Sequence, residues 1–170
     1  AREIAIRENG DIYVSLMSPV DLNYVAAMRD TDGDGVMDVI RYFGELDASC
    51  KDVEIYNGYL YVGSRRQVVR FPLKEGQLLP TGPYEVVVAG FLEPMGHPHK
   101  VFAFDQSGNL YVEVGGHSNA CQEQARTKGS PGMYPCPQLE QSGGVWRFEA
   151  DRLNQDQLRD GTLVATGIRN

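Results

Sequence analysis

Basic charge is in short supply in this sequence. Sixteen Lys and Arg stand against 23 Asp and Glu, a formal net charge of −7. Phosphate neutralisation needs a basic face, so no nucleic-acid partner is expected. Long apolar runs are missing too: none approaches the ~18 residues that a membrane-spanning helix requires. Sustained helical periodicity is absent, and only Ala150 to Leu158 has helical character, enough for a single turn. No signal peptide is visible, and Ala1 leads directly into what reads as a strand. The chain is therefore expected to be a mature product, a trimmed one or a piece of a longer protein.

Cysteine is limited to three residues, with no CxxC pair. Cys121 and Cys136 bracket a loop rich in Gly, Pro and Ser, which a disulfide closes readily; the alternative is two buried thiols. A bridge there points to an oxidising compartment, periplasmic or extracellular. Cys50 is left over and, with no activating pattern around it, is expected to be a buried or half-buried thiol and not a nucleophile.

What the sequence has in quantity is turns and short strands, with nineteen Gly and nine Pro. Ile4-Ala5-Ile6 leads through Asn9-Gly10 to Ile12-Tyr13-Val14. Val53-Glu54-Ile55 leads through Asn57-Gly58 to Leu60-Tyr61-Val62, and Val101 to Phe104 leads through Gly108-Asn109 to Leu110-Tyr111-Val112. Each unit is an alternating strand, a tight turn and an aliphatic-Tyr-Val strand. The tyrosines at 13, 61 and 111 are spaced by 48 and then 50 residues. That is the period of β-propeller blades, each a four-stranded antiparallel sheet.

The expected fold is all-β: three blades at about 1–47, 48–95 and 96–170, with long insertions at 17–38 and 116–143. Val68 to Phe71 and Tyr84 to Val88 complete the second blade. Val145 to Phe148 and Leu163 to Ala165 complete the third. Asp38 to Phe43 takes the third-strand place in the first. Both insertions would then join second to third strands and share a face with the segments between blades, the face on which a site is expected. Three blades leave two open edges, so the ring must be completed by a missing remainder, another chain or a second copy.

Asp30-Thr31-Asp32-Gly33-Asp34-Gly35-Val36-Met37-Asp38 has the spacing of a calcium-binding loop. Asp30, Asp32, Asp34 and Asp38 are the carboxylate ligands, the Val36 carbonyl is a further one, and Gly35 permits the sharp turn. Arg41 stands where an EF-hand has a bidentate Glu, and no EF-hand helices flank the loop; Glu45 or Asp47 is a candidate replacement ligand. The bland alternative is an acidic surface turn. Gly96-His97-Pro98-His99-Lys100 lies just before the third blade. His97 suits a general base. A His97/His99 pair with His117 can hold a metal, and two hydrogen-bonded loop histidines are the structural reading. Gly167-Ile168-Arg169-Asn170 occupies the equivalent place after the third blade and offers fixed donors for carboxylates.

Taken together, the aliphatic-Tyr-Val strands, Gly96-His97 ahead of Val101-Phe102-Ala103-Phe104-Asp105, Leu110 to Gly115, Gly144-Val145-Trp146-Arg147-Phe148 and the closing Gly167-Ile168-Arg169-Asn170 resemble the soluble quinoprotein glucose and sorbosone dehydrogenases. The resemblance spans nearly the whole chain. It implies a six-bladed propeller that oxidises a sugar or related alcohol with pyrroloquinoline quinone and Ca2+. His97 would be the general base, and Arg169 and Asn170 would hold the cofactor, with Arg169 also stabilising the charge that develops on it. Gly96 departs from the glucose dehydrogenase members, which carry an Asp there, and the Asp30–Asp38 loop is not that family's cofactor calcium site. His117, Ser118 and Asn119 can line the substrate mouth or simply pack the loop. Two other functions suit a propeller: a non-catalytic module binding carbohydrate or protein, and a metal-dependent lactonase-like hydrolase.

Overall fold

The computed structural model describes residues 1–46, 49–92, 96–98 and 100–168. They are organised in three sheets. The first contains β1 (Ile4–Ile6), β2 (Ile12–Val20), β3 (Asn23–Arg29) and β4 (Val39–Glu45) in sequential antiparallel order. The second repeats that order with β5 (Asp52–Tyr56), β6 (Tyr59–Gly63), β7 (Val68–Pro72) and β8 (Glu85–Ala89). The third has β9 (Lys100–Phe104), β10 (Asn109–Val114) and β11 (Gly144–Glu149). After β12 (Gln155–Asp156) and the helical turn α1 (Gln157–Asp160), β13 (Thr162–Thr166) completes it. β12 pairs in parallel with β8, so a segment of the third unit widens the second sheet to five strands. Asp156 caps α1 by accepting from the amides of Leu158 and Arg159.

Period-two alternation decides which residues face which neighbour. On β6, Leu60 and Val62 enter a core shared with the first sheet, beside Tyr13, Val25 and Phe71. Tyr61 points the other way, into a core with Phe102, Leu110, Val112, Trp146 and Phe148 of the third sheet. The middle sheet is thus buried on both faces, which is why β6 and β7 read as nearly unbroken apolar runs. The first strands lie side by side, β1 against β5 and β5 against β9. The repeating tyrosines tie each unit to the next. Tyr13 Oη donates to the Leu78 carbonyl at 2.9 Å, and Tyr61 Oη to the Ala150 carbonyl at 3.0 Å. In both cases the acceptor lies between the last two strands of the following sheet.

The first unit corrects one expectation. The 17–38 stretch is not an insertion between second and third strands, because Asn23–Arg29 is itself the third strand and Val39–Glu45 the fourth. Asp21 and Leu22 make a two-residue turn with φ of 46° and 68°, the geometry of a type I′ hairpin, in which the right-handed twist of the flanking strands is continued. The Asp30–Asp38 loop therefore joins β3 to β4 and lies at the opposite end of the sheet from the β2–β3 turn. It sits beside the β1–β2 turn, where Arg29 clamps Asp11 through Nε at 2.6 Å and Nη2 at 2.7 Å.

Candidate functional site

One end of the three sheets gathers the described parts of the connections between units (46, 49–51, 90–92 and 96–98), the β6–β7 turn and the long β10–β11 connection. His97 lies here. Its amide donates to the Gly116 carbonyl at 3.3 Å, and its Nε2 lies 2.9 Å from Asn119 Oδ1. An amide oxygen only accepts, so this contact is a hydrogen bond in the tautomer that carries its hydrogen on Nε2. The close approach of the two segments depends on glycine. A Cβ on Gly115 would stand 2.4 Å from the His97 carbonyl oxygen, and one on Gly96 would stand 2.6 Å from the His117 carbonyl oxygen.

The β10–β11 connection is built around a disulfide between Cys121 and Cys136, whose Cα atoms are 6.0 Å apart. Cys50 is buried and outside the bridge. Ser118 Oγ, with its single hydrogen, donates to the Ala120 carbonyl at 2.6 Å and lies 2.9 Å from Gln138 Oε1, and Ser142 Oγ donates to the Gln138 carbonyl. These bonds hold the root of the loop beside His97. A cleft of about 180 Å³ opens there, lined by Ser118, Asn119, the disulfide, Gln138 and, on its far side, Gly167 and Ile168. His117 joins the packing through its backbone, against Gly96. Arg65 and Arg66 are exposed on the β6–β7 turn at the same end.

Lys100 opens β9 and is fully buried. Its Nζ donates to the Pro98 carbonyl at 2.8 Å and stands 5.1 Å from the Phe91 ring centre. Burial, aided by repulsion from Arg65, pushes its pKa down to about 8 against the attraction of Glu113. Sequence reading passed over this residue, although a Lys sharing one strand face with Phe102 and Phe104 is a visible break in pattern.

The acidic loop is at the other end. Asp30, Asp32 and Asp38 each place a carboxylate oxygen within 4.8 Å of the others. Asp30 accepts from the amides of Asp32, Gly33 and Gly35, and Asp38 accepts from the Thr31 amide and hydroxyl. These donors hold both carboxyls below the usual carboxylate range. Asp34 instead accepts from the Val36 amide and is not one of the three. Among the described residues, this is the one place where His, Cys, Asp or Glu side chains converge at metal-ligand spacing. His97 and His117 do not form such a group. Asp47, His99, Arg169 and Asn170 lie outside the described residues.

No family model and no curated protein matches the sequence. Solved structures do. The PQQ domain of pyranose dehydrogenase from Coprinopsis cinerea, in its holo form, is similar over 99% of this chain at 13% identity and a TM-score of 0.74. Two structures of a family AA12 carbohydrate-active enzyme from Trichoderma reesei, an iodide and a calcium structure, are similar over 95% of the chain. Their identities are 15% and 14%, with TM-scores of 0.71 and 0.70. The chain spans 39% of the length of each. The likeness is one of fold: three sheets arranged as in a PQQ domain.

Proposed function

We propose that this chain is three blades of a six-bladed propeller in a quinoprotein oxidoreductase acting on a sugar or a related alcohol or aldehyde. The observation that carries the reading is the likeness of 99% of the chain to a PQQ domain. The end of the sheets that holds His97 suits the cofactor. Pyrroloquinoline quinone is a flat polycarboxylate, and this acidic chain places Arg65 and Arg66 there, with Arg169 and Asn170 following Ile168 in sequence. When bound, the quinone supplies the acceptor for the hydride that leaves the substrate carbon. Arg65, Arg66, Arg169 and Asn170 would hold it. Arg169 stabilises negative charge at that site.

His97 takes the proton from the substrate hydroxyl, and Asn119, itself on the wall of the cleft, orients its ring through Nε2. Ser118, Asn119 and Gln138 offer hydrogen bonds to the other hydroxyls of a sugar. The disulfide fits a periplasmic or extracellular location. No helix among the described residues is long and apolar enough to cross a membrane. Further blades of a longer polypeptide, or another chain, complete the ring, and the electron acceptor is a separate partner.

The test is reduction of an artificial dye by the full-length protein supplied with pyrroloquinoline quinone, Ca2+ and a panel of pyranoses and sugar alcohols. His97→Ala is expected to lower kcat by about 10²–10⁴-fold while cofactor binding, followed by absorbance titration, is kept. Absence of sugar-dependent reduction in the intact, loaded protein overturns the reading.

A further inference from the structure

Lys100 sits where the strand pattern calls for an apolar residue. It shares a face of β9 with Phe102 and Phe104 and is 0% exposed. Burying an ammonium group is costly unless it is paired, and positions that break local rules are where function is to be sought. Lys100 has no ion pair among the described residues. The attracting carboxylate, Glu113, does not accept its hydrogen bond through Oε1, which is buried with no hydrogen-bond partner among the described residues. The ammonium group donates instead to the Pro98 carbonyl at 2.8 Å.

That carbonyl belongs to the residue immediately after His97. The His97 segment is therefore pinned from both sides. On one side its amide is held by the Gly116 carbonyl and its ring by Asn119. On the other, Lys100 reaches back from the core to the peptide that follows. An exposed lysine doing this would lose rotamer freedom and gain little. A buried one has no competing water, and its stem is fixed by the packing around Phe91.

We propose that Lys100 is a positioning residue for His97, whose buried ammonium group fixes the Pro98 carbonyl and thereby the direction of the His97 ring against Asn119. The role is indirect, since Lys100 touches neither the cleft nor its contents. It rests on the assignment of His97 as the base, but its central readout does not require turnover. The charged groups around the ammonium are Arg65 on the β6–β7 turn and Glu113 on β10. A loss of charge at Lys100 would be felt by these as well as by the His97 segment.

The variant is Lys100→Met in the full-length protein, which keeps the stem and removes the donor. With ¹⁵N-labelled histidine and His97→Asn for assignment, His97 in the parent is expected to show one tautomer, with hydrogen on Nε2. In Lys100→Met its two ring nitrogens are expected to move toward averaged shifts, with melting temperature held or raised because a buried charge is gone. In the loaded enzyme, kcat is expected to fall about tenfold or more at unchanged KM, with a displaced acid limb of the pH profile. Unchanged His97 shifts in Lys100→Met overturn the proposal, as does a loss confined to melting temperature. If that variant does not fold, Lys100→Gln, whose amide is too short to reach Pro98, is read by the same shifts, and unchanged shifts again overturn it. A parent protein with no sugar-dependent reduction overturns the quinoprotein reading and leaves the tautomer measurement intact as the test of Lys100.

Discussion

His97 and Asn119 are 22 positions apart in sequence and 2.9 Å apart in space. The contact exists because the β10–β11 connection folds back over the segment ahead of β9, and glycine at 96 and 115 lets the two backbones touch. Asn119 has a definite electrical consequence. A neutral amide oxygen orients the imidazole. A carboxylate in the same place would stabilise imidazolium. Under the proposed function, Asn119→Asp in the full-length protein is expected to shift the acid limb of the kcat/KM profile upward by about one pH unit or more, with activity kept above that limb. A profile that does not move would show that Asn119 does not govern the protonation of His97. The histidine itself was legible from the sequence, as a His in a linker ahead of a strand. Its partner was not, because nothing local marks which residue of a loop running from Gly116 to Gly143 returns to it.

At the scale of elements, the aliphatic-Tyr-Val strands and the Asn57-Gly58 turn, with φ of 47° and 78°, announced themselves. β3 did not. Its sequence, Asn-Tyr-Val-Ala-Ala-Met-Arg, carries two alanines where β-branched residues usually mark a strand. The turn leading into it has Leu22 at a left-handed position that normally signals itself with Gly or Asn. Tertiary packing carries this strand: Val25 and Ala27 are fully buried against the second sheet. The consequence is that the Asp30–Asp38 loop sits far from His97. A cation bound there would brace a β3–β4 hairpin at the end of the sheet away from His97. The donor set is all hard oxygen, and the amides already hold Asp30 and Asp38 in their ionised form. Calcium at millimolar concentration is accordingly expected to raise the melting temperature of the full-length protein, and Asp32→Ala with Asp38→Ala to reduce that rise. His97-dependent turnover should be retained in the same double variant once the cofactor is bound. An equal calcium response in parent and variant would refute cation binding at this loop.

Across the whole molecule, the three sheets are joined near their first strands by a short relay of hydrogen bonds. Ser15 Oγ, from the first sheet, donates to the Lys51 carbonyl at 2.9 Å. The adjacent residue, Asp52, opens β5 and accepts the Phe102 amide of the third sheet through Oδ2 at 2.8 Å. Asp52 is 8% exposed. Burial pushes its carboxyl above the usual carboxylate range, the nearby Glu3 adds to the rise, and the Phe102 amide opposes it. A carboxyl with a raised folded pKa binds its proton more tightly in the native state than in the unfolded chain. Its stabilising contribution is thus fully present below the unfolded value of about 4 and is lost as pH rises through the folded value. Asn at this position keeps an oxygen to accept from Phe102 and carries no charge at any pH. In the full-length protein, the melting temperature of Asp52→Asn relative to the parent is therefore expected to rise as pH increases from about 4 toward neutrality and then to level off. Thermal unfolding followed at pH 4, 5, 6 and 7.5 decides the matter. A difference that stays flat, or that falls with pH, would mean that the relay holds an ionised carboxylate without cost, and that the junction of the sheets is more open to water than its burial indicates.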